Sequence, residues 1–207
     1  QGPPRPLRAV ILCAGASSRL GEPKALARLG RQSALEWLLE AVSAVDPRPI
    51  VVAGRHFAAI DAHLGRRVSL PYTPFMIENG RWRDGRTGSL ACAVQEAPGA
   101  DLLVAPVDVP LVGQDLILAL ESSWAKAGSP DRGWLAPWTQ EGAASMRRYG
   151  HPVVLGAELA GSLLRAAEPA RPLSRFRAEA HPLLGFEVYD MAIHDDLDTP
   201  EDLARLR

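Results

Sequence analysis

A glycine-rich segment that directly follows a short apolar run is the feature that most constrains the fold of this 207-residue chain. The run Ala9-Val10-Ile11-Leu12 has the length and the branched side chains of a buried strand, and residues 33–36 have the pattern of a helix capping box. Between them, residues 12–24 place small side chains where the strand ends, which lets backbone N–H groups close around a phosphate. We therefore predict an α/β fold with a phosphate-binding loop at the carboxyl edge of its sheet.

Two common phosphate-loop patterns do not match this segment. A Walker A loop needs Gly-x-x-x-x-Gly-Lys-Ser/Thr, whereas five residues separate Gly15 from Gly21 and Lys24 follows three positions later. The dinucleotide pattern Gly-x-Gly-x-x-Gly is also absent. The segment instead has the form Leu-x-x-Gly-x-x-x-Arg-x-Gly-x-x-Lys, in which Arg19 and Lys24 supply fixed positive charge against an anion.

The rest of the chain alternates strand-like and helix-like segments. This order favours a three-layer α/β/α sandwich with a mostly parallel, Rossmann-like sheet. The predicted strands are 50–53, 68–77 at an edge, 102–107, 134–136, 153–155 and one around 186–189. The predicted helices are 33–45, 57–64, 89–96, 114–127, 157–166 and a short terminal helix, and the polar segment 139–148 is expected to form a loop over the site.

The composition narrows the class of protein further. The net charge of −1 provides no general field for attracting nucleic acid or an anionic membrane. No apolar run approaches the roughly 20 residues that cross a bilayer, and two cysteines are too few for a disulfide framework, which favours a reducing cytoplasm. Residues 1–6 resemble the remnant of a protease cleavage site from an expression vector, or a disordered start, so a single domain is expected over 7–207.

Together with three further motifs, the loop resembles the nucleotidyltransferases of the molybdenum-cofactor type, specifically the cytidylyltransferase branch and its guanylyltransferase relatives. The motifs are Gly85-Arg86-Thr87-Gly88-Ser89-Leu90, Val107-Asp108-Val109-Pro110, and Gly150-His151-Pro152 with Asp196-Leu197-Asp198-Thr199-Pro200-Glu201-Asp202-Leu203. The resemblance implies a fold of the nucleotide-diphospho-sugar transferase type. It also implies Mg²⁺-dependent transfer of CMP from CTP to the phosphate of molybdopterin cofactor with release of pyrophosphate, and a molybdoenzyme or its chaperone as a candidate partner.

The resemblance implies a role for each residue that matches these motifs. Arg19, Lys24 and Asp108 would be catalytic, and Asp108 and Asp198 would hold the metal, with Asp196 as a helper. His151 and Arg148 would contact the acceptor. The nucleotide would be bound by Leu12, Cys13, Ala14, Gly15, Ala16, Ser17, Ser18, Arg19, Lys24, Gly88, Ser89 and Leu90.

Structural explanations compete with several of these roles. Asp108 fits a turn aspartate, and Thr199-Pro200 with Asp202 fits a helix start, so Asp198 is joined to Asp108 by the resemblance alone. His151 before a proline is also typical of a hydrogen-bonded turn residue. Glu168-Pro169-Ala170-Arg171 replaces an acidic Gly-Asp element that is usual in the family, which keeps other acceptors open.

The alternatives are a cytidylyltransferase or guanylyltransferase for a sugar or alditol phosphate, and a nucleotide- or cofactor-binding chaperone without turnover. Retention of Lys24, Asp108 and Asp198 argues against the chaperone, because binding alone would not need all three. Ala14 stands where the guanylyltransferase relatives have a second glycine, and the added methyl group favours CTP over the larger GTP.

Overall fold

A mixed, mostly parallel sheet runs through the centre of the molecule and confirms the predicted α/β fold. A computed structural model of the chain describes residues 5–15, 17–66, 72–141, 146–165 and 172–207. The strands of the sheet are β1 (Leu7–Cys13), β4 (Ile50–Ala53), β5 (Phe75–Glu78), β6 (Asp101–Pro106), β7 (Trp134–Glu141), β8 (Met146–Tyr149), β9 (Val153–Leu155) and β10 (Leu183–Glu187). Two short strands, β2 (Arg28–Leu29) and β3 (Gln32–Ser33), form a separate hairpin.

The strand order is β10-β7-β9-β6-β1-β4-β5, with β8 paired to β7. Strand β1 pairs in parallel with β4 and β6, whereas β9 runs antiparallel between β6 and β7. The carboxyl ends of β1, β4 and β6 therefore meet at one edge of the sheet, and the amino end of β9 lies beside them.

Helices cover both faces of the sheet, as the predicted three-layer sandwich requires. They are α1 (Ala34–Val42), α2 (Phe57–Gly65), α3 (Arg86–Glu96), α4 (Gln114–Lys126), α5 (Ala157–Ser162), α6 (Leu173–Glu179) and α7 (Pro200–Leu206). Alternate residues of β1 enter opposite cores, because side chains of a strand point to opposite faces. Ala9 and Ile11 pack with α1, α2, α4 and α7, and Val10 and Leu12 pack with α3, α5 and α6.

Local capping signals fix the start of two helices. At α1 the Ser33 hydroxyl accepts the Glu36 N–H at 3.3 Å while the Glu36 carboxylate accepts the Ser33 N–H at 2.7 Å, which confirms the predicted capping box. At α7 Thr199 caps the helix, Pro200 occupies the first turn and Asp202 closes the reciprocal bond. The structural explanation of this motif is therefore correct, whatever else Asp198 does.

Several predicted boundaries are wrong. The expected loop at 139–148 is instead a hairpin arm: Thr139 in β7 pairs with Arg148 in β8, and residues 142–145 lie outside the described part. All four residues of β8 are exposed, so its sequence shows no apolar alternation that would indicate a strand. Helix α3 begins at Arg86, three residues earlier than predicted, because the preceding Gly85 has a φ of 94° that breaks the chain direction.

Other boundaries differ in smaller ways. Helix α6 was not predicted, and a single fully buried side chain, Phe176, anchors it. Strand β10 lies three residues before its predicted start, and the described part of the predicted edge segment 68–77 contributes only to β5. Residues 1–4 lie outside the described part, and the Arg5 side chain donates to Asp101 at 3.1 Å, so the expectation of a vector remnant or disordered start over 1–6 stays a prediction. Within the described ranges, no helix has the length and apolar character needed to cross a bilayer.

Candidate functional site

A cleft of about 280 Å³ opens at the carboxyl edge of β1, β4 and β6. Its lining combines the segment after β1, His56 after β4, Asp108 after β6, and Asp198 from the connection that precedes α7. The four segments are distant in sequence and meet because three parallel strands end at the same edge.

The glycine-rich segment forms a compact turn on one side of the cleft. The Gly21 N–H donates to the Ser17 carbonyl at 3.3 Å, and the Lys24 N–H donates to the Ser17 hydroxyl at 3.1 Å. Leu20 is buried and holds the turn against the protein core. Gly15, Ser17 and Ser18 line the cleft, while Ala16 lies outside the described residues. Phosphate binding by this turn stays a prediction.

Leu12 and Cys13 form the floor where β1 ends, and the buried Ala14 follows them outside the lining. The Leu12 carbonyl accepts the Val107 N–H at 3.1 Å, which ties the floor to the segment after β6. Burial raises the pKa of the Cys13 thiol, and the nearby negative charge of Asp108 raises it further. Cys13 therefore stays protonated and acts as a small apolar lining residue.

Asp198 pairs with both cationic side chains of the phosphate-loop segment. The Lys24 ammonium group binds one carboxylate oxygen, and the Arg19 guanidinium donates to the other at 2.9 Å. The hydrogen bond from Lys24 is the first cause of a lowered pKa of Asp198, and the positive charges of Lys24 and Arg19 lower it further. The structure thus brings together three residues that span 180 positions of the sequence.

Asp108 connects to the same segment through its backbone. Its carbonyl oxygen accepts the N–H of Leu197 at 2.7 Å, and Leu197 is fully buried in the core. This bond brings Asp198, the next residue, to the cleft that Asp108 lines. One carboxylate oxygen of Asp108 accepts the Arg86 guanidinium at 2.5 Å, whereas Oδ1 is buried and has no hydrogen-bond partner among the described residues.

The buried, unpartnered oxygen makes Asp108 a fitting ligand for a hard divalent cation. A buried carboxylate oxygen without a donor is costly unless a cation satisfies it. Within the described ranges, no three His, Cys, Asp or Glu side chains are grouped to hold a metal. Two carboxylates are nevertheless sufficient for Mg²⁺, because substrate phosphates and water complete its octahedron.

The two predicted acceptor residues lie toward β9 and the arm. His151 precedes β9, and its backbone N–H donates to the Ile193 carbonyl at 3.2 Å. The ring Nδ1 of His151 is buried and has no hydrogen-bond partner among the described residues. Burial lowers the pKa of His151, and the charge of Arg86 lowers it further. Arg148 on β8 is half-exposed, and its charge lowers the pKa of Asp196, although burial and the charges of both site aspartates leave that pKa raised overall.

The structure does not bring the side chains of Ser89 and Leu90 into the cleft. Ser89 is 1% exposed, and its hydroxyl accepts from the Asn79 amide at 3.0 Å and donates to the Gly85 carbonyl at 3.4 Å. Leu90 is fully buried in the core beside β1. Nucleotide contact by Gly88, Ser89 and Leu90 stays a prediction, and the Ser89 N–H already donates to the Gly85 carbonyl at 3.4 Å.

Sequence reasoning missed part of the lining. His56 and Ile60 line the cleft, and a neighbouring groove of about 320 Å³ continues past Arg55 and His56. The position of Arg55 and His56 could have indicated this, because they lie within three residues of the end of the buried parallel strand β4. Trp82 packs against Gly54 so closely that a Cβ there would lie 2.4 Å from the Trp82 Cβ.

A glycine-rich loop, lysine and arginine side chains, and two carboxylates lie together at the carboxyl edge of a largely parallel sheet, an arrangement typical of nucleotide-binding α/β enzymes. Residues 9–183 match the family described as the MobA-like NTP transferase domain, and the chain belongs to this family. It is therefore a nucleotidyltransferase. A comparison with curated proteins gives no significant match.

Solved structures of similar fold extend over nearly the whole chain. Rv0371c from Mycobacterium tuberculosis H37Rv is 21% identical, with 98% of this chain and 97% of that chain covered and a TM-score of 0.74. A manganese complex of Rv0371c aligns at 20% identity, 98% and 97% coverage, and a TM-score of 0.70. A nucleotidyl transferase from Methanothermobacter is 21% identical, with 97% and 95% coverage and a TM-score of 0.73.

Proposed function

We propose that the chain transfers CMP from CTP to the phosphate of molybdopterin cofactor and releases pyrophosphate, with Mg²⁺ as the metal. The observation that carries the proposal is the convergence of Lys24, Arg19, Asp198 and Asp108 on one cleft. Cations that can meet a triphosphate and carboxylates that can hold its metal lie within contact of one another there.

The chain's own residues would act by positioning and charge neutralisation. Backbone N–H groups of residues 14–18 and the Arg19 side chain hold the β- and γ-phosphates, and Lys24 meets charge that grows on the α-phosphoryl oxygens. An acceptor phosphate oxygen forms a bond to the α-phosphorus while the bond from that phosphorus to the bridging oxygen breaks. Pyrophosphate leaves with the bonding electrons. No general base is needed, because a phosphate monoester is already an anion at neutral pH.

Asp108 and Asp198 are the residues proposed to hold the divalent cation. When bound, such a cation neutralises charge on phosphoryl oxygens and orients them. Rv0371c, a protein of similar fold, has been solved as a complex with manganese, and this is a reason to test divalent metals on this chain. Asp198 would have to exchange its bonds with Lys24 and Arg19 for the metal, which frees both cations for the triphosphate.

The preference for CTP rests on Ala14, which stands where the guanylyltransferase relatives have a glycine. Ala14 is buried directly after β1, and its methyl group and restricted backbone would disfavour the larger purine. One methyl group in a pocket contributes only about 1 to 3 kcal/mol, so we expect preference rather than exclusion.

The test is pyrophosphate release from CTP, GTP, UTP and ATP, each with molybdopterin, a sugar phosphate and an alditol phosphate. We expect turnover with molybdopterin and a kcat/KM for CTP above that for GTP. A clear advantage for GTP would overturn the base assignment, and turnover only with a sugar or alditol phosphate would overturn the acceptor. Tight binding of CTP without turnover on any acceptor would favour a binding chaperone instead.

The setting of this activity is also a proposal. Both cysteines, Cys13 and Cys92, are free, which suits a reducing cytoplasm. If molybdopterin is the acceptor, a molybdoenzyme or its chaperone is the partner to which the product would pass.

A further inference from the structure

Arg86 holds a special position at the edge of the cleft. It is the first residue of α3, and Gly85 before it has a φ of 94°, which turns the chain so that the helix starts beside Asp108. The Arg86 guanidinium donates to Asp108 Oδ2 at 2.5 Å. Its side chain is 55% exposed, and it forms an ion pair with this carboxylate. It can therefore leave Asp108 at little cost in packing.

The cations of the cleft divide into two groups with different partners. Lys24 and Arg19, from the phosphate-loop segment, pair with Asp198. Arg86 pairs with Asp108 and acts electrostatically on His151 and Asp196, the former at the start of β9. His151 precedes β9, which lies beside β6 on the side away from β1, so the charge of Arg86 also acts toward that side of the cleft.

An in-line transfer requires that arrangement. The leaving pyrophosphate and the attacking oxygen lie on opposite sides of the α-phosphorus. If Lys24 and Arg19 hold the leaving side, the phosphate of the acceptor enters near Asp108, Arg86 and His151. A planar guanidinium is well suited to bind that phosphate through two parallel hydrogen bonds.

We propose that Arg86 is a placeholder cation on Asp108: it neutralises this carboxylate until a divalent cation arrives, and it then binds the phosphate of the acceptor. Only the second half of this inference, the binding of the acceptor phosphate by Arg86, rests on the proposed function. A guanidinium and a divalent cation compete for one carboxylate, since like charges at that distance repel. Arrival of the metal therefore releases Arg86 to bind the acceptor phosphate. Without metal, Arg86 stays paired with Asp108 and is not free to bind a phosphate.

The first test measures metal binding and needs no turnover. Mn²⁺ would be titrated into the nucleotide-free protein and free Mn²⁺ followed by electron paramagnetic resonance, for wild type, Arg86→Ala and Arg132→Ala. Arg132 is the matched control, because it also forms an ion pair, with Glu158 at 2.9 Å, but lies before the amino end of β7 and does not line the cleft. We expect Arg86→Ala to bind Mn²⁺ at least about threefold tighter and Arg132→Ala to match wild type. Unchanged or weaker Mn²⁺ binding by Arg86→Ala would overturn the placeholder role.

The second test separates the acceptor from the nucleotide. In steady-state kinetics with CTP and molybdopterin, Arg86→Ala should raise the KM for molybdopterin by about tenfold or more and change the KM for CTP less than about twofold. Arg86→Lys should keep part of the acceptor affinity, because it retains the charge and loses the fork. A raised KM for CTP with an unchanged KM for molybdopterin would make Arg86 a nucleotide ligand and overturn the second half.

A folding defect and a failure of the proposed function can each be distinguished from these outcomes. The melting temperature of each variant should stay within a few degrees of wild type, since the Arg86 side chain is half-exposed and the pair is screened by solvent. If wild type turns over no acceptor, the proposed function fails, whereas the Mn²⁺ titration still decides the placeholder role.

Discussion

Strand β6 begins at Asp101, and Asp108 lies two residues beyond its other end. The two aspartates should respond oppositely to the same substitution. Asp108 lies at the cleft with one buried, unpartnered oxygen, and Asp101 begins the strand at the far edge of the sheet. Asp108→Asn removes the charge and keeps the shape. We expect this variant to fold normally and to lose turnover.

The structure sets both magnitudes. The pair of Asp108 with Arg86 is partly exposed, at 16% and 55% of the two side chains, so its loss should change the free energy of unfolding by less than about 1 kcal/mol. Removal of Asp108's charge also relieves repulsion on Asp196, whose pKa it raises. If Asp108 holds the metal, kcat should fall by about a hundredfold or more, which corresponds to about 2.7 kcal/mol of transition-state stabilisation.

The assay combines pyrophosphate release with urea unfolding, and Asp101→Asn is the control. Asp101 is fully buried and accepts hydrogen bonds from Trp124 at 2.9 Å, the Ala157 N–H at 2.9 Å and Arg5 at 3.1 Å. Its substitution should cost about 1.5 to 3 kcal/mol of stability and leave kcat unchanged where the protein is folded. Full activity in Asp108→Asn would refute the metal assignment, and a stability loss as large as that of Asp101→Asn would assign Asp108 a structural role.

Two further substitutions test the role of Lys24 and the loss of stability at low pH that Asp198 should cause. If Lys24 meets charge only as that charge develops in the transition state, Lys24→Ala should lower kcat more than it lowers CTP affinity. Lys126 is the only other lysine, and Lys126→Ala should match wild type. A loss of CTP affinity at unchanged kcat would make Lys24 a binding residue. The hydrogen bond from Lys24 and the charge of Arg19 hold the pKa of Asp198 below its usual range, so this contribution to stability is present above about pH 4 and is lost as pH falls through the lower folded-state value. Asp198→Asn should therefore be less stable than wild type at pH 7 and approach it at pH 3 in urea unfolding, and a difference independent of pH would contradict the assignment.

Local sequence by itself determined the elements and the loop. The run at 9–12 and its glycine-rich continuation predicted β1 and the turn that lines the cleft. The capping residues Ser33 and Glu36, and Thr199 with Asp202, predicted the starts of α1 and α7. These features are encoded within a few residues, because caps, turns and period-two burial depend on near neighbours along the chain. Strand β8 escaped prediction for the same reason, since a strand with every residue exposed leaves no periodic signal.

Only the tertiary structure decided which charges meet. No spacing rule connects Asp198 to Lys24 or Asp108 to Arg86, and both pairs exist because parallel strands end at one edge and the Leu197 N–H binds the Asp108 carbonyl. The same packing turned Ser89 and Leu90 inward and placed Arg86 in the cleft instead. Contacts between distant segments depend on how whole elements pack, and a pattern read along the chain does not contain that information.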